Sequence, residues 1–333
     1  MAVIVDLSMI KHGVIHSRDL SDEIKIHPEY IKHYVLNSIL YIKSYMQCSK
    51  QNELILAIDR KKAYKNGDKI IYGYWRDVLY EQNKSILTDS SKGYKDGRER
   101  SAEYDWESIE RYYSEILEII KKYTDFKVIE IPGIEADDIC AVLSQKLPGK
   151  NTIVSGDKDL KKLISDTILL YDWRTKKYEI TRTSEEEKLL FYLYGDSGDG
   201  IKSVKPRYQW EKNLKKKSLD EIFEEFPDLP LKKRFQLNKK MMDLSINSLP
   251  SSVTNSIMEE YSKEEFSYHQ IKIITELNKS GLNEMITGDI RSMVDRAIEF
   301  QLPRFLAERD NNKTKEYKRN VEKENFIRNK FLN

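Results

Sequence analysis

The sequence predicts an α/β fold, a mainly parallel sheet flanked by helices and followed by a mostly helical region. Three observations carry this expectation. Short β-branched runs alternate with longer segments through the first half; apolar residues in those segments recur at three- and four-residue spacings; and strand patterns stop near residue 184. The first strand is AVIV (2–5), and PEYIKHYVLNSILYIKSYM (28–46) has the period of a covering helix. ELILAI (53–58) is the second strand, and GYWRDVLYEQNK (73–84) predicts a helix after Asp59. A polar segment at 85–104 interrupts the pattern before the helical DWESIERYYSEILEIIKKY (105–123). KVIEI (127–131), NTIV (151–154) and TILLYDW (167–173) are the remaining strands. Beyond them EEEKLLFYLYG, SLDEIFEEF and KKRFQLNKKMMDL predict helices separated by Gly, Pro and Ser. Two domains are expected, residues 1–183 with an insertion at 85–104, and residues 184–333.

Composition excludes several classes. Of 333 residues, 39% are hydrophobic, enough for a core without disulfide staples. Lys and Arg number 57 against 55 Asp and Glu, so any electrostatic specialisation lies in where the signs sit. The two cysteines, Cys48 and Cys140, form neither a CxxC nor a Cys/His cluster, which argues against a disulfide scaffold or a zinc site and fits a reducing compartment. The opening apolar run is too short for a signal-peptide core and no run approaches a membrane span, so a soluble cytoplasmic protein is expected.

The acids fall at the carboxyl ends of the predicted strands. Asp6 ends the first, Asp59 the second; Glu135, Asp137 and Asp138 follow the third in PGIEADDICAVL; Asp157 and Asp159 follow the fourth in SGDKDL. That edge is where open α/β sheets place ligands. Each acid taken singly is an ordinary helix-start or turn residue. Together they form a rim whose mutual repulsion calls for cations, and an oxygen-only donor set points to magnesium or manganese. A further pair, Asp196 and Asp199 in LYGDSGDGIKSVKPRYQW (193–210), is spaced to share one face, with Gly198 and Gly200 allowing a sharp turn. From Lys202 to Lys217 there follow seven Lys or Arg and one acid, with Tyr208 and Trp210 interleaved.

In order, VDLS, LAIDRKKA, GIEADDICAVL, IVSGDKDL and YGDSGDGIKSV resemble the motifs of the structure-specific 5′ nucleases, the flap endonuclease and 5′ to 3′ exonuclease superfamily. Within it, the spacing and the 73–84 segment are most similar to the ribonuclease H branch of T-even bacteriophages. The resemblance is strong to about residue 210 and weak thereafter. It implies a PIN-like nuclease domain followed by a helix-three-turn-helix, and a 5′ to 3′ exonuclease and 5′-flap endonuclease that removes lagging-strand RNA primers from RNA–DNA and DNA duplexes in phage replication. By the same resemblance Asp6, Asp59, Glu135, Asp137 and Asp157 surround one magnesium and Asp159, Asp196 and Asp199 the second, with Asp138 between them and manganese able to substitute. Gly200 stands where the family commonly has Asn, and Lys202-Ser203 where it has Pro-Gly, a departure that bears on the turn and on the potassium ion some relatives hold there.

Two magnesium ions about 4 Å apart can activate a water and stabilise a leaving oxygen. A continuous helix after Asp59 would align Arg76, Tyr80 and Lys84 at four-residue intervals; Arg76 and Lys84 are then expected to hold phosphates and Tyr80 to stack on a base. Lys92, Lys95, Arg98 and Arg100 lie in the 85–104 segment that corresponds to the family's arch over single strand. Gly198, Gly200, Lys202, Lys205 and Arg207 are expected on the duplex backbone. The substrate expected is branched or nicked DNA or RNA–DNA with a free 5′ end, bound by a monomer in the host bacterial cytoplasm. Single-stranded-DNA-binding protein and a sliding clamp are the partners the resemblance suggests. The rivals are a non-catalytic DNA-junction-binding module, which would have lost ligands, and a PIN-type single-strand ribonuclease, which needs neither the glycine turn nor the insertion.

Overall fold

The computed structural model describes residues 1–17, 20–48, 52–66, 69–87, 93–95, 101–124, 126–205, 208–227, 229–263 and 279. In chain order it begins with β1 (Ala2–Asp6), α1 (Leu7–Ile15), α2 (Ser21–Ile26), α3 (Tyr30–Tyr45) and β2 (Glu53–Ile58). Then come β3 (Lys62–Asn66), β4 (Lys69–Gly73), α4 (Trp75–Gln82), α5 (Lys84–Leu87), α6 (Trp106–Tyr123) and β5 (Lys127–Glu130). α7 (Ala136–Lys146), β6 (Asn151–Val154), β7 (Ile168–Asp172) and β8 (Lys177–Glu179) complete the strands. Five helices follow, α8 (Glu185–Tyr194), α9 (Trp210–Leu214), α10 (Leu219–Glu224), α11 (Leu231–Met242) and α12 (Ser251–Ser262). These elements divide into two compact units, one built from residues 1–9, 49–102 and 128–263 and the other, within the described residues, from 10–48 and 103–127.

The first unit holds a six-stranded sheet in the order β5-β2-β1-β6-β7-β8. β1 pairs in parallel with β2 and β6, β6 in parallel with β7, and β8 closes the edge antiparallel to β7. β1 is buried along its whole length and β2 nearly so, which is why both read as unbroken apolar runs. The register places Asp6 beside Ala57 and Val5 beside Val154, so the carboxyl ends of β1, β2 and β6 finish level. Ile4, Ile55, Ile153 and Leu170 of the strands pack with Ile139, Val142 and Leu143 of α7 and with Val253 and Ile257 of α12. The last two come from the helical region, which therefore shares this core.

Sequence reasoning missed β8 and the β3–β4 hairpin; the helix expected directly after Asp59 follows that hairpin instead. Asp77 Oδ2 accepts the Tyr74 amide at 2.7 Å and starts α4, while Asn83 ends it by donating its amide to the Tyr80 carbonyl at 3.0 Å. The helices after residue 184 form as expected, and α8 and α10 open on reciprocal caps, Ser184 with Glu187 and Ser218 with Glu221.

The second unit pairs α3 with α6. Ile31, Val35, Ile39 and Ile42 of α3 and Ile109, Ile116 and Ile120 of α6 are buried at helical spacings. Asp105 caps α6 by accepting the Ser108 amide at 3.1 Å, and Lys32 bridges the helices to Glu115 at 3.3 Å.

Candidate metal centre and active site

The level strand ends gather the acids in the first unit. Asp6, the last residue of β1, is buried; its Oδ1 accepts the Met9 amide at 2.9 Å and its Oδ2 the Ser155 hydroxyl at 2.8 Å. Asp59 stands exposed beyond β2, where its Oδ1 accepts the Ala136 amide at 2.6 Å and so meets the start of α7. Glu135 precedes α7, Asp137 and Asp138 form its first turn, and each of the three offers an oxygen within 4.8 Å of the others. Asp157 takes the Asp159 amide at 2.8 Å in the loop after β6. A cleft of about 490 Å³ is lined by Asp137, Asp157, Asp159, Asp196, Asp199, Arg76 and Lys95 among others.

The glycine turn delivers the second acid pair. Asp196 and Ile201 exchange backbone hydrogen bonds of 2.8 and 2.7 Å, and Asp196 Oδ1 accepts the amides of Gly198 at 2.8 Å and Asp199 at 3.3 Å. Gly200 has φ +77°, a conformation costly for most residues with a Cβ, Asn among the exceptions, and an added Cβ would sit 3.4 Å from the Gly93 carbonyl. Its freedom lets this turn close on residues 93–95 of the insertion, where the Lys95 amide donates to the Asp199 carbonyl at 3.1 Å. Buried Asn238 steadies the flank by donating to the carbonyls of Tyr192 at 3.0 Å and Lys202 at 2.9 Å.

The cations sit differently from expectation. Arg76, expected on phosphate, is buried: Nη1 and Nη2 grip Asp138 at 2.9 and 2.7 Å, Nη1 also reaches Glu135 at 2.8 Å, and Nε donates to the Met241 carbonyl at 2.8 Å. Asp138, expected between two metals, is committed to this fork and to the Trp75 indole at 2.7 Å. Tyr80 is 0% exposed and donates to the Gly200 carbonyl at 3.3 Å, so its ring is closed to base stacking in this conformation. Lys84 lies past the break at Asn83 and pairs with Glu81 at 3.2 Å rather than continuing the Arg76 face. Arg76, Lys158 and Lys95 all line the cleft, and Lys95 reaches the acids with its ammonium 2.7 Å from Glu135 and 3.8 Å from Asp199. Its neighbour Tyr94 donates to Asp199 Oδ2 at 3.3 Å. Sequence reasoning had placed Lys95 with the DNA contacts of the insertion; the tyrosine–lysine pair bounded by Gly93 and Gly97 is the signal that could have singled it out. Lys205 lies over the rings of Tyr208 and Phe226. Lys92, Arg98, Arg100 and Arg207 fall outside the described residues.

The electrostatics fit a divalent cation. Burial, reinforced by the charge of Asp59, pushes the Asp6 carboxyl up to about 7. Burial and Glu135 likewise push Asp137 well above the usual carboxylate range. Burial would raise Glu135 too, but Lys95 and Arg76 outweigh it and hold that carboxyl low. The chain thus compensates Glu135 internally, whereas for Asp6 burial and like charges prevail, and for Asp137 they prevail over Arg76 at 3.9 Å; a site of oxygen donors only suits a hard divalent ion.

The signature of the 5′-3′ exonuclease N-terminal resolvase-like domain matches residues 76–190. Ribonuclease H of Enterobacteria phage T4 is 30% identical over 193 residues, 56% of this chain and 57% of that protein. The 5′-3′ exonuclease of Buchnera aphidicola subsp. Acyrthosiphon pisum is 31% identical over 157 residues, 43% of this chain and 50% of that protein.

Residues 76–190 are therefore similar to a 5′-3′ exonuclease N-terminal domain, and these comparisons support the 5′ nuclease superfamily.

The chain spans about half the length of these two curated relatives. The superfamily's PIN-like fold recurs in the bacteriophage T5 flap endonuclease complexed with DNA and metal ions, which matches at a TM-score of 0.53 and 16% identity over 79% of this chain and 99% of that one. A second T5 structure, co-crystallised with metal ions, gives 0.51 and 19% over 78% and 99%.

Proposed function

We propose that this chain is a divalent-metal-dependent 5′ to 3′ exonuclease and 5′-flap endonuclease that hydrolyses DNA and RNA–DNA duplexes and removes lagging-strand RNA primers. The observation that carries the reading is the convergence of Asp137, Asp157, Asp159, Asp196, Asp199 and Lys95 on one cleft, with Glu135 beside Asp137 and with Asp6 and Asp59 at the neighbouring strand ends. Asp6, Asp59, Glu135, Asp137 and Asp157 would hold one magnesium and Asp159, Asp196 and Asp199 a second, with manganese able to replace either. When bound, such ions neutralise the scissile phosphate and acidify a water.

The chain's own residues set the conditions for that chemistry. Asp6 gives up a proton near neutrality when a cation arrives. Lys95, 2.7 Å from Glu135, keeps that carboxyl ionised and would meet a phosphate oxygen in the cleft. Arg76 locks Asp138 and Glu135 so that the first turn of α7 presents Asp137 to the cleft. α8, the glycine turn and α9 would form the helix-three-turn-helix that holds the duplex through its phosphates, with Lys202 and Arg207 among the contacts. Single-stranded-DNA-binding protein and a sliding clamp are the proposed partners, and pull-downs with each test them.

The deciding assay is magnesium-dependent cleavage of labelled duplexes carrying a 5′ flap, a nick or an RNA primer, comparing wild type with Asp157→Asn. Cutting at the 5′ end or flap junction that the substitution abolishes, with binding retained, supports the reading. Binding without cutting in magnesium and manganese would instead make the chain a junction-binding module. Cutting confined to single-stranded RNA would make it a PIN-type ribonuclease.

A further inference from the structure

The β3–β4 hairpin stands between two parts of the centre in sequence, leaving after Asp59 and returning at Trp75 and Arg76. Its register puts Tyr64 and Ile71 on one face and Ala63, Lys65, Ile70 and Tyr72 on the other. The inner face is fixed. Tyr64 donates its hydroxyl to the Gly133 carbonyl at 3.1 Å, and Gly133, at φ +85°, has no Cβ to collide with that ring. The Arg60 amide donates to the Ile134 carbonyl at 3.3 Å, stitching the hairpin's base to the turn that delivers Glu135.

The outer face is open. Ile70 is 75% and Tyr72 69% exposed, with Ala63 and Lys65 exposed beside them. A two-stranded hairpin is only marginally stable alone, so two large apolar side chains held in water on it need a reason outside folding. Lys61 and Lys62 at its base are exposed as well, and among the described residues none of the three lysines has a carboxylate within ion-pair distance. The described hairpin side chains include no acid. Lys62 lies over Tyr64 and Lys61 over Tyr74, near Asp77, whereas Lys65 shares the outer face with the open Tyr72 ring, and a cation beside an exposed aromatic suits a polyanion with flat faces.

We propose that the outer face of the hairpin binds unpaired nucleotides of the substrate, with Tyr72 stacked on a base, Ile70 beside it, and Lys65 on a phosphate. The proposal rests on the nuclease reading but assigns a surface that the catalytic cleft does not use. It is tested by fluorescence anisotropy in EDTA with two DNA probes, a duplex carrying a single-stranded 5′ flap and the same nicked duplex without it. Tyr72→Ala and Ile70→Ala are expected each to weaken flap binding roughly tenfold and to leave nicked-duplex binding unchanged. Tyr72→Trp should retain flap affinity, and Lys65→Ala should lower the slope of log Kd against log salt by about 1. Wild-type flap binding that all four variants reproduce overturns this proposal alone. Wild type that binds neither probe overturns the nuclease reading and this proposal with it. A wild-type dimer in sedimentation that Ile70→Glu dissociates, with flap affinity unaltered, makes the face an interface between copies and likewise overturns it.

Discussion

Arg76→Met separates a structural arginine from a phosphate-binding one. The Arg76 side chain is 2% exposed, and those of its partners Asp138 and Glu135 are 0% and 5%. Methionine removes the four N–H bonds to Asp138, Glu135 and the Met241 carbonyl, leaving Asp138 with the Trp75 indole as its side-chain donor. Breaking a buried pair from one side strands a charge in a site that cannot hydrate it, which costs about 3–5 kcal/mol, far above the 0–1 kcal/mol of an exposed pair. Urea unfolding followed by tryptophan fluorescence in EDTA should show the midpoint falling by that amount divided by m, with m unchanged. The double variant Arg76→Met/Asp138→Leu should recover part of the loss, because the stranded carboxylate is gone. A single variant within about 1 kcal/mol of wild type, or a double variant no more stable than the single, would refute the argument.

The other predictions concern charge and the turn. In EDTA, unfolded Asp6 ionises near 3.8 while the folded carboxyl keeps its proton until about 7, so the folded state binds more protons in that window and wild type should lose stability, relative to Asp6→Asn, as pH rises from about 4 to 7. Added magnesium or manganese should shrink that relative loss by favouring the ionised form; thermal melts of both proteins across this range, with and without metal, check the sign, and parallel curves would contradict it. Lys95→Ala should slow single-turnover cleavage by about 100-fold or more in protein shown by circular dichroism to be folded, whereas Lys84→Ala should change it less than threefold; the reverse order would restore the continuous-helix expectation. Asn238→Ala leaves a buried and a half-buried carbonyl without their donor and should cost about 1–3 kcal/mol by urea titration, alongside weaker terbium luminescence at the acid cluster because Asn238 steadies the Asp196–Asp199 turn.

How much was legible follows from which forces are local. The acids could be found because parallel strands buried on both faces announce themselves as apolar runs and end level, so a carboxylate at each run's end has one edge to occupy. The β3–β4 hairpin was equally local and was missed: Asn66-Gly67-Asp68 is a turn signal between segments that pair residue for residue. Arg76 and Tyr80 were different. Four-residue spacing correctly predicts that they share a face of α4, but which way that face looks is set by Asp138, 62 positions along, and by Gly200, 120 positions along. A charged side chain was assigned to phosphate because its carboxylate partner could not be seen. Lys84 failed for a further reason, since the spacing rule holds only while the helix continues and Asn83 ends it. The cation the cleft requires then arrives eleven residues later in sequence, on a segment brought in by the Gly200 turn. Sequence periodicity therefore located the need for a cation near the acids, and only the turn's positive φ and its hydrogen bond to the Lys95 amide decided which lysine meets it.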